Sequence, residues 1–192
     1  MSPVAIPACT AEGVLPPIHS LQPMAAERSP YVVSLTDYVL RFGDTAERNR
    51  VLNGFLRYRA ALHNAGVVEG FQWLDGSFLE HIEMTEGRPP NDIDVVTFYR
   101  LPVGVSQAEL AQKAGALIQH DAVKKEFSVD AYLVHLGMDA ERLTRQGAYW
   151  YSVWSHRRNR VWKGFVQVNL AAAEDVIATA TLASLTAAGG QP

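Results

Sequence analysis

Two aspartates one residue apart lie in a stretch that otherwise predicts a buried strand. Asp92 and Asp94 flank Ile93 in the segment PNDIDVV, which continues into two valines. Alternate residues of a strand point to the same face, so both carboxylates are expected to project together. At about 4 Å such a pair repels by roughly 4 kcal/mol at an effective dielectric constant near 20. A divalent cation would offset this repulsion, and Mg²⁺ is commonly held by one or two carboxylates plus substrate phosphates.

A third carboxylate, Asp130, lies in the next predicted strand between Val129 and Ala131. If the two strands are neighbours, Asp130 stands beside the first pair. Three carboxylates can hold two metal ions about 3.5–4 Å apart, the arrangement used for in-line phosphoryl displacement. We therefore predict catalytic and metal-binding roles for Asp92, Asp94 and Asp130, with Mg²⁺ or Mn²⁺ as the cofactor.

Gly76 and Ser77, in the segment LDGS, lie between a predicted strand and a predicted helix. Unpaired backbone N–H groups and the helix dipole attract phosphate at such a junction. Glycine lets the backbone approach a phosphate closely, and serine can cap the helix and donate to a phosphate oxygen. The combination predicts a phosphate-binding turn that faces a metal-binding strand. This arrangement is suited to chemistry on a nucleoside triphosphate.

These motifs resemble the nucleotidyltransferase fold of the DNA polymerase beta superfamily, with LDGS, then DID fifteen positions after the serine, then a later strand aspartate. Members move a nucleotide from a nucleoside triphosphate to a hydroxyl or phosphate acceptor and use Mg²⁺. The resemblance implies that Gly76 and Ser77 bind the triphosphate and that Asp92 and Asp94 hold the metals. It also implies that Asp130 completes the site and helps to deprotonate the acceptor hydroxyl. The chain departs from the pattern in its proline-containing loop at 85–91, which lengthens the gap between the motifs.

A second resemblance covers most of the chain. The segments IPACTAEGVLPP, LDGSF, PNDIDVV and KGFVQVNL are similar to those of a bacterial family of uncharacterised proteins assigned to the nucleotidyltransferase-like group. This similarity favours the fold more than it favours any particular substrate.

A basic segment, SHRRNR, follows a run of aromatic residues. Between residues 142 and 173 the chain has six lysines or arginines and no acidic residue. Arg157, Arg158 and Lys163 are predicted to bind the triphosphate or an RNA acceptor such as tRNA, with Trp154 and Trp162 stacking on bases. The alternative is a solvated hairpin whose tryptophans belong to the core.

Lysines and glutamates near the motifs receive simpler predictions. Lys124 and Lys125 precede the Asp130 strand and either assist phosphate binding or form a solvated strand end. Glu80 and Glu83 are expected to face solvent.

Other functions remain open at this stage. A non-catalytic module that senses a nucleotide or binds a protein partner, as an antitoxin does, is compatible with a small domain of this type. A nucleotide-sugar glycosyltransferase also uses Asp-x-Asp with a divalent metal, but the Gly–Ser element has no role there. A two-metal nuclease is disfavoured because no Glu-x-Lys follows the aspartates.

Bulk composition bounds the class of protein. The chain has 192 residues, 48% hydrophobic and 19% charged, with a net charge of −3, which is typical of one globular domain and gives no global reason for nucleic-acid or membrane binding. The single cysteine, Cys9, rules out an internal disulfide framework. No run approaches a membrane-spanning length, so a cytoplasmic protein is expected.

The elements that must position these residues alternate between strand and helix. Strands are predicted at 71–75, 92–99 and 126–136, and helices at 34–42, 45–65, 77–83, 106–119 and 139–147. The helix at 45–65 is predicted to begin with a capping box of Asp44 and Glu47 and to end at Gly66, and the helix at 106–119 to begin with a capping box of Ser106 and Glu109. YWYSVW and GFVQVNL are expected to form a strand pair or a helix end and a strand. We predict a mixed α/β (α+β) fold with a minimal mixed β-sheet packed by helices. Residues 1–30 form a proline-rich arm, 31–170 the nucleotidyltransferase-like domain, and 171–192 an Ala-rich helix or tail.

Overall fold

The protein is described by a computed structural model that covers residues 4–189. Within this range the chain forms five strands, seven α-helices and two short 3₁₀ helices at Ser77–Leu79 and Gly115–Ile118. The strands are β1 (Tyr31–Val32), β2 (Gly70–Asp75), β3 (Ile93–Tyr99), β4 (Val129–His135) and β5 (Val166–Asn169). The helices are α1 (Leu35–Phe42), α2 (Ala46–Asn64), α3 (Ile82–Glu86), α4 (Gln107–Lys113), α5 (His120–Phe127), α6 (Ala140–Trp154) and α7 (Ala173–Gly189).

The strands form one mixed sheet in the order β1-β5-β2-β3-β4. β2 runs antiparallel to both β3 and β5, whereas β3 and β4 are parallel, as are β1 and β5. The parallel β3–β4 pair needs a crossover, which α4 and α5 supply between the two strands. The predicted mixed sheet packed by helices is confirmed, and so is the neighbouring position of β3 and β4.

The two faces of the sheet have different coverings. On one face, α2 contributes Arg59, which is fully buried and donates to Gln72 Oε1 at 2.6 Å. Because strand residues alternate, Trp73 and Asp75 point to the opposite face. Helix α6 covers part of that face, where the rings of Tyr132 and Trp150 lie 4.5 Å apart between centroids. The carboxylates of interest therefore lie on the α6 side of the sheet.

The predicted helix at 45–65 is confirmed as α2, but its cap is one residue later than Asp44. Thr45 is the N-cap, and its hydroxyl accepts from the backbone N–H of Arg48. Asp44 instead lies 3.6 Å from Arg48 Nε as an ion pair. At the other end Gly66 has φ +96°, which agrees with its predicted place just beyond the helix.

Several other predicted boundaries are wrong. The helix predicted at 106–119 ends at Lys113 as α4, and a short 3₁₀ helix at Gly115–Ile118 follows it. The third strand begins at Val129 and not at 126, because the preceding residues form α5, a helix that the pattern did not predict. The helix predicted at 139–147 extends to Trp154 as α6, so YWYSVW and GFVQVNL form a helix end and a strand, which is one of the two forms predicted for them. The helix predicted at 77–83 is instead the Ser77–Leu79 turn followed by α3.

The arm packs along the domain over the part that the structure describes. Val14 and Leu15 are each 1% exposed, and Leu15 O accepts from Gly164 N–H. Val4 N–H donates to Val32 O beside the sheet edge. The first three residues of the predicted arm lie outside the described range.

The Ala-rich segment forms α7, of the two forms predicted for it, and it docks through its first turn. Asp175 accepts from Arg59 Nε at 3.1 Å, and Glu174 Oε2 accepts from Leu35 N–H at 3.0 Å. Residues 190–192 of the predicted segment lie outside the described range. None of the helices in residues 4–189 is both long and apolar enough to cross a membrane.

Candidate active site

Three aspartates occupy one row across three neighbouring strands. Asp75 on β2 is the register partner of Asp94 on β3, and Asp94 is the partner of Asp130 on β4. Neighbouring strands lie about 4.8 Å apart, and register partners project to the same face. Asp92, two residues before Asp94, projects to that face as well. The sheet therefore brings four carboxylates together at its α6 side.

These carboxylates line a cleft of about 740 Å³. The cleft contains every residue that the sequence predicts for the site, and its wall is mainly polar. Those predicted residues are Gly76, Ser77, Asp92, Asp94, Asp130, Arg157, Arg158 and Lys163. Other charged residues of the wall include Asp75, Glu80 and Lys124. The volume is within the usual range for small-molecule sites, roughly 300–1,000 Å³.

A larger cavity of about 1180 Å³ lies elsewhere, between the start of α2 and α7. Asn49, Leu182 and Leu185 are among the residues that line it. It lacks the convergence of charged side chains that chemistry on a phosphate requires. We therefore take the smaller polar cleft as the candidate site.

Gly76 occupies a backbone conformation that suits glycine alone. Its φ of +91° and ψ of −176° lie in a region that residues with a Cβ rarely adopt. A Cβ placed there would lie 3.0 Å from Asp94 Oδ2. The glycine thus permits close contact between the end of β2 and the Asp94 carboxylate.

Ser77 begins a 3₁₀ turn of three residues and not the α-helix that the sequence predicts. A short turn carries little of the dipole of a regular helix, so the predicted dipole contribution to phosphate binding is not available here. The local reason is the backbone at Glu80, which is extended and separates the turn from α3. Phosphate binding at this position would rest on the Ser77 hydroxyl and on backbone N–H groups.

Lys163 is buried between two carboxylates. Its ammonium lies 2.9 Å from Asp75 Oδ1 and 3.1 Å from Glu80 Oε1, and the residue is 6% exposed. Arg157 Nη2 lies 2.6 Å from Glu80 Oε2. Two of the three basic residues predicted for phosphate binding are thus already paired with carboxylates. Arg158 remains exposed on the cleft wall.

The expectation that Glu80 faces solvent is wrong, because the residue is 6% exposed and holds the basic segment against the Gly–Ser turn. Glu83 is also paired, at 2.6 Å from Arg48 Nε.

The two tryptophans that flank the basic segment differ in exposure, since Trp154 belongs to the core whereas Trp162 is 53% exposed. Lys163 follows a turn closed by Arg157 N–H donating to Val161 O at 2.9 Å.

Two of the four aspartates have strongly raised pKa values. Burial, together with the charges of Asp75, Asp130 and Asp92, raises the pKa of Asp94 to about 7. Burial also raises the pKa of Asp75 to about 6, although Lys163 opposes the shift. For Lys163, burial alone would lower the pKa, but Asp75 and Glu80 outweigh it and the pKa is raised. The site thus favours added positive charge near Asp94.

Lys124 partly supplies that charge. Its Nζ lies 2.7 Å from Asp92 Oδ2 and 3.4 Å from Asp130 Oδ2, and the Asp92 hydrogen bond raises the pKa of the lysine. His120 Nδ1 lies 3.2 Å from Asp130 Oδ1. Asp94, in contrast, has no cationic side chain within ion-pair distance in residues 4–189.

The carboxylates fit a divalent cation by charge and by ligand type, since hard cations prefer oxygen ligands and Asp94 lacks a counter-ion. No group of three or more His, Cys, Asp or Glu side chains in the described range is already spaced to hold a metal ion. The ammonium of Lys124 lies within ion-pair distance of both Asp92 and Asp130.

Asp75 and Glu80 are absent from the site predicted by the sequence. A signal for Asp75 existed, because it ends an apolar strand and immediately precedes the glycine of LDGS. No comparable local signal existed for Glu80, whose partners Arg157 and Lys163 are distant along the chain.

The chain matches a protein-family model but no curated protein and no solved structure. This family model matches residues 7–169, a range that includes the whole cleft and ends before α7. The chain therefore belongs to the family described as "Family of unknown function (DUF6932)".

Proposed function

We propose that the protein is a Mg²⁺- or Mn²⁺-dependent nucleotidyltransferase that moves a nucleotide from a nucleoside triphosphate to a hydroxyl or phosphate acceptor. The observation that supports this proposal is the meeting of Asp92, Asp94 and Asp130 on adjacent strands of one cleft with Gly76 and Ser77. Such a combination of carboxylates and a phosphate-binding turn is suited to phosphoryl chemistry.

The aspartates would hold the metal ion, which when bound would neutralise charge on the triphosphate. Gly76 lets the end of β2 approach the Asp94 carboxylate closely, and the Ser77 hydroxyl can donate to a phosphate oxygen. Arg158, exposed on the wall, can bind the outer phosphates. Lys163 and Arg157 would act indirectly and not as phosphate ligands, because they hold Asp75 and Glu80 in place behind the Gly–Ser turn.

Titration calorimetry with ATP, CTP, GTP and UTP, with and without Mg²⁺, tests the binding step. The wild type is expected to bind at least one triphosphate in a Mg²⁺-dependent manner, and the Asp92→Ala/Asp94→Ala variant is expected to lose that binding. Glu126→Gln, a change at an exposed acid on α5, is the matched control. The absence of Mg²⁺-dependent binding for all four nucleotides would overturn the proposal.

Transfer of label from an α-phosphate-labelled triphosphate to protein, RNA or small-molecule acceptors tests the reaction. Asp94→Asn should lower transfer on the order of a hundredfold or more while the fold is retained. An Asp94→Asn protein with full activity would show that this mechanism is wrong.

A non-catalytic module that senses a nucleotide or binds a protein partner is the second candidate. It is favoured by the internal pairing of the cleft charges, in which Lys124 bridges Asp92 and Asp130, and Arg157 pairs with Glu80. A heteromer of defined stoichiometry, together with no turnover of any nucleotide, would support this candidate over the transferase.

A further inference from the structure

Lys124 extends from α5 into the acidic end of the cleft. Its ammonium contacts one oxygen each of Asp92 and Asp130, at 2.7 and 3.4 Å. His120, one helical turn earlier, lies 3.2 Å from the other oxygen of Asp130. Lys124 thus contacts one oxygen each of Asp92 and Asp130, and His120 lies near the other oxygen of Asp130, which has no hydrogen-bond partner among residues 4–189. Asp94 has no cationic partner in the described range.

Apart from Glu86, Arg88 and Arg158, the charged residues that line the cleft form two groups. Behind the Gly–Ser turn, the carboxylates of Asp75 and Glu80 are balanced by the cations of Lys163 and Arg157. This first group has no net charge, so it does not favour the binding of a further cation.

The second group is not neutral. It comprises three carboxylates, those of Asp92, Asp94 and Asp130, and a single ammonium, that of Lys124. Two net negative charges remain when Asp94 is ionised, and Asp94 is the carboxylate of this group that has no cation at ion-pair distance in the described range. One divalent ion would neutralise them, and a second would add excess positive charge beside an ammonium.

On the basis of the proposed function, we propose that Lys124 takes the position of a second metal ion. The protein without nucleotide then binds one divalent ion, which is held mainly by Asp94. The Lys124 ammonium is anchored between two carboxylates in the way that a bridging cation would be. Its four-carbon side chain is 46% exposed, so it reaches this position from the cleft entrance without being part of the core.

Binding of Mn²⁺ alone, measured by electron paramagnetic resonance and by calorimetry without nucleotide, tests the inference. The wild type is expected to bind one Mn²⁺ per chain. Lys124→Met should bind the first ion roughly tenfold more tightly and should bind a second at millimolar Mn²⁺. Lys124→Arg, which keeps the charge, should bind one ion, and Asp94→Asn should bind none.

Lys125→Met is the matched control, because Lys125 is the adjacent exposed lysine of α5 and does not line the cleft. It should behave as the wild type. Circular dichroism verifies that each variant is folded, and Lys124→Gln provides a polar alternative to the methionine variant.

The remaining outcomes separate this inference from the proposed function. Two ions on the wild type, or one ion on each of the wild type and Lys124→Met, would overturn the role of Lys124 and leave the transferase proposal standing. No ion on the wild type, with or without an ion on Lys124→Met, would also overturn this inference. The transferase proposal would then be decided by the Mg²⁺-dependent triphosphate titration, because substrate phosphates can supply the missing metal ligands.

Discussion

Asp75 and Asp94 are register partners on the antiparallel strands β2 and β3, and both carboxylates point into the same cleft. The residue after Asp75 is Gly76, whose missing side chain leaves room for Asp94 Oδ2. Lys163 pairs with Asp75 at 2.9 Å but not with Asp94. One member of this pair is therefore compensated within the protein, and the other depends on a cation from outside or on a proton.

The pH dependence of stability should reveal the uncompensated carboxylate. Burial and the neighbouring carboxylates raise the pKa of Asp94 to about 7 in the folded state, above about 3.9 in the unfolded chain. The folded protein binds the extra proton between these values, so its stability falls as pH rises from about 4 to about 7. Asp94→Asn removes this loss. At pH 8 without metal, the free energy of unfolding of the variant should exceed that of the wild type by roughly 2–4 kcal/mol.

Urea unfolding in EDTA at several pH values measures this difference. The wild-type and variant curves should converge below about pH 4, where the Asp94 carboxyl becomes protonated in the unfolded chain as well as in the folded state. Subtracting one curve from the other cancels the opposite contribution of Glu83, whose hydrogen bond with Arg48 lowers its pKa. A difference that does not change with pH would contradict the prediction.

A divalent ion should stabilise the folded protein through the same carboxylate. At a free Mn²⁺ concentration a hundred times its dissociation constant, the gain is about 2.7 kcal/mol, or roughly 5–10 °C in Tm. Differential scanning fluorimetry at pH 8 should show this shift for the wild type and for Glu126→Gln but not for Asp94→Asn. Equal shifts in all three proteins would place the ion elsewhere.

Gly76→Ala tests the close approach beside Asp94. The added Cβ would meet Asp94 Oδ2 at 3.0 Å, and the backbone region costs roughly 1–3 kcal/mol for a residue with a Cβ. Gly87→Ala is the control, because its φ of +68° is also positive but nothing lies within 4 Å of the new Cβ. Chemical unfolding should show the larger loss for Gly76→Ala, with a loss of triphosphate binding that Gly87→Ala does not share. Equal losses of stability would mean that the Asp94 contact has no energetic role.

Lys163→Met should be strongly destabilising. The change leaves Asp75 and Glu80 buried without their ammonium, a loss of about 3–5 kcal/mol for a broken buried pair. Lys163→Met/Asp75→Asn should recover part of the loss, because Asp75 is the carboxylate left without a cation, whereas Glu80 keeps its pair with Arg157. Arg158→Met, on the exposed wall, should change the free energy of unfolding by less than about 0.5 kcal/mol. A Lys163→Met protein as stable as the wild type would contradict this account of the buried cluster.

The sequence by itself determined the local features of this protein. Strand alternation placed Asp92 and Asp94 on one face, and the Ser106–Glu109 capping box is present at the start of α4 as predicted. The same reasoning predicted that Gly76 and Ser77 would lie at the end of β2, although the helix after them proved to be a short turn. These features depend on residues a few positions apart, where backbone geometry fixes the relation between side chains.

Only the tertiary structure decided the electrostatics of the cleft. The pairing of Asp75 with Asp94 depends on strand register, and the burial of Lys163 depends on β5 lying beside β2. Lys124 reaches Asp92 because residues 120–127 fold as α5 and not as the start of a strand. The energy of a charge depends on its distance to other charges and on the water around it, and both quantities exist only when distant segments pack together.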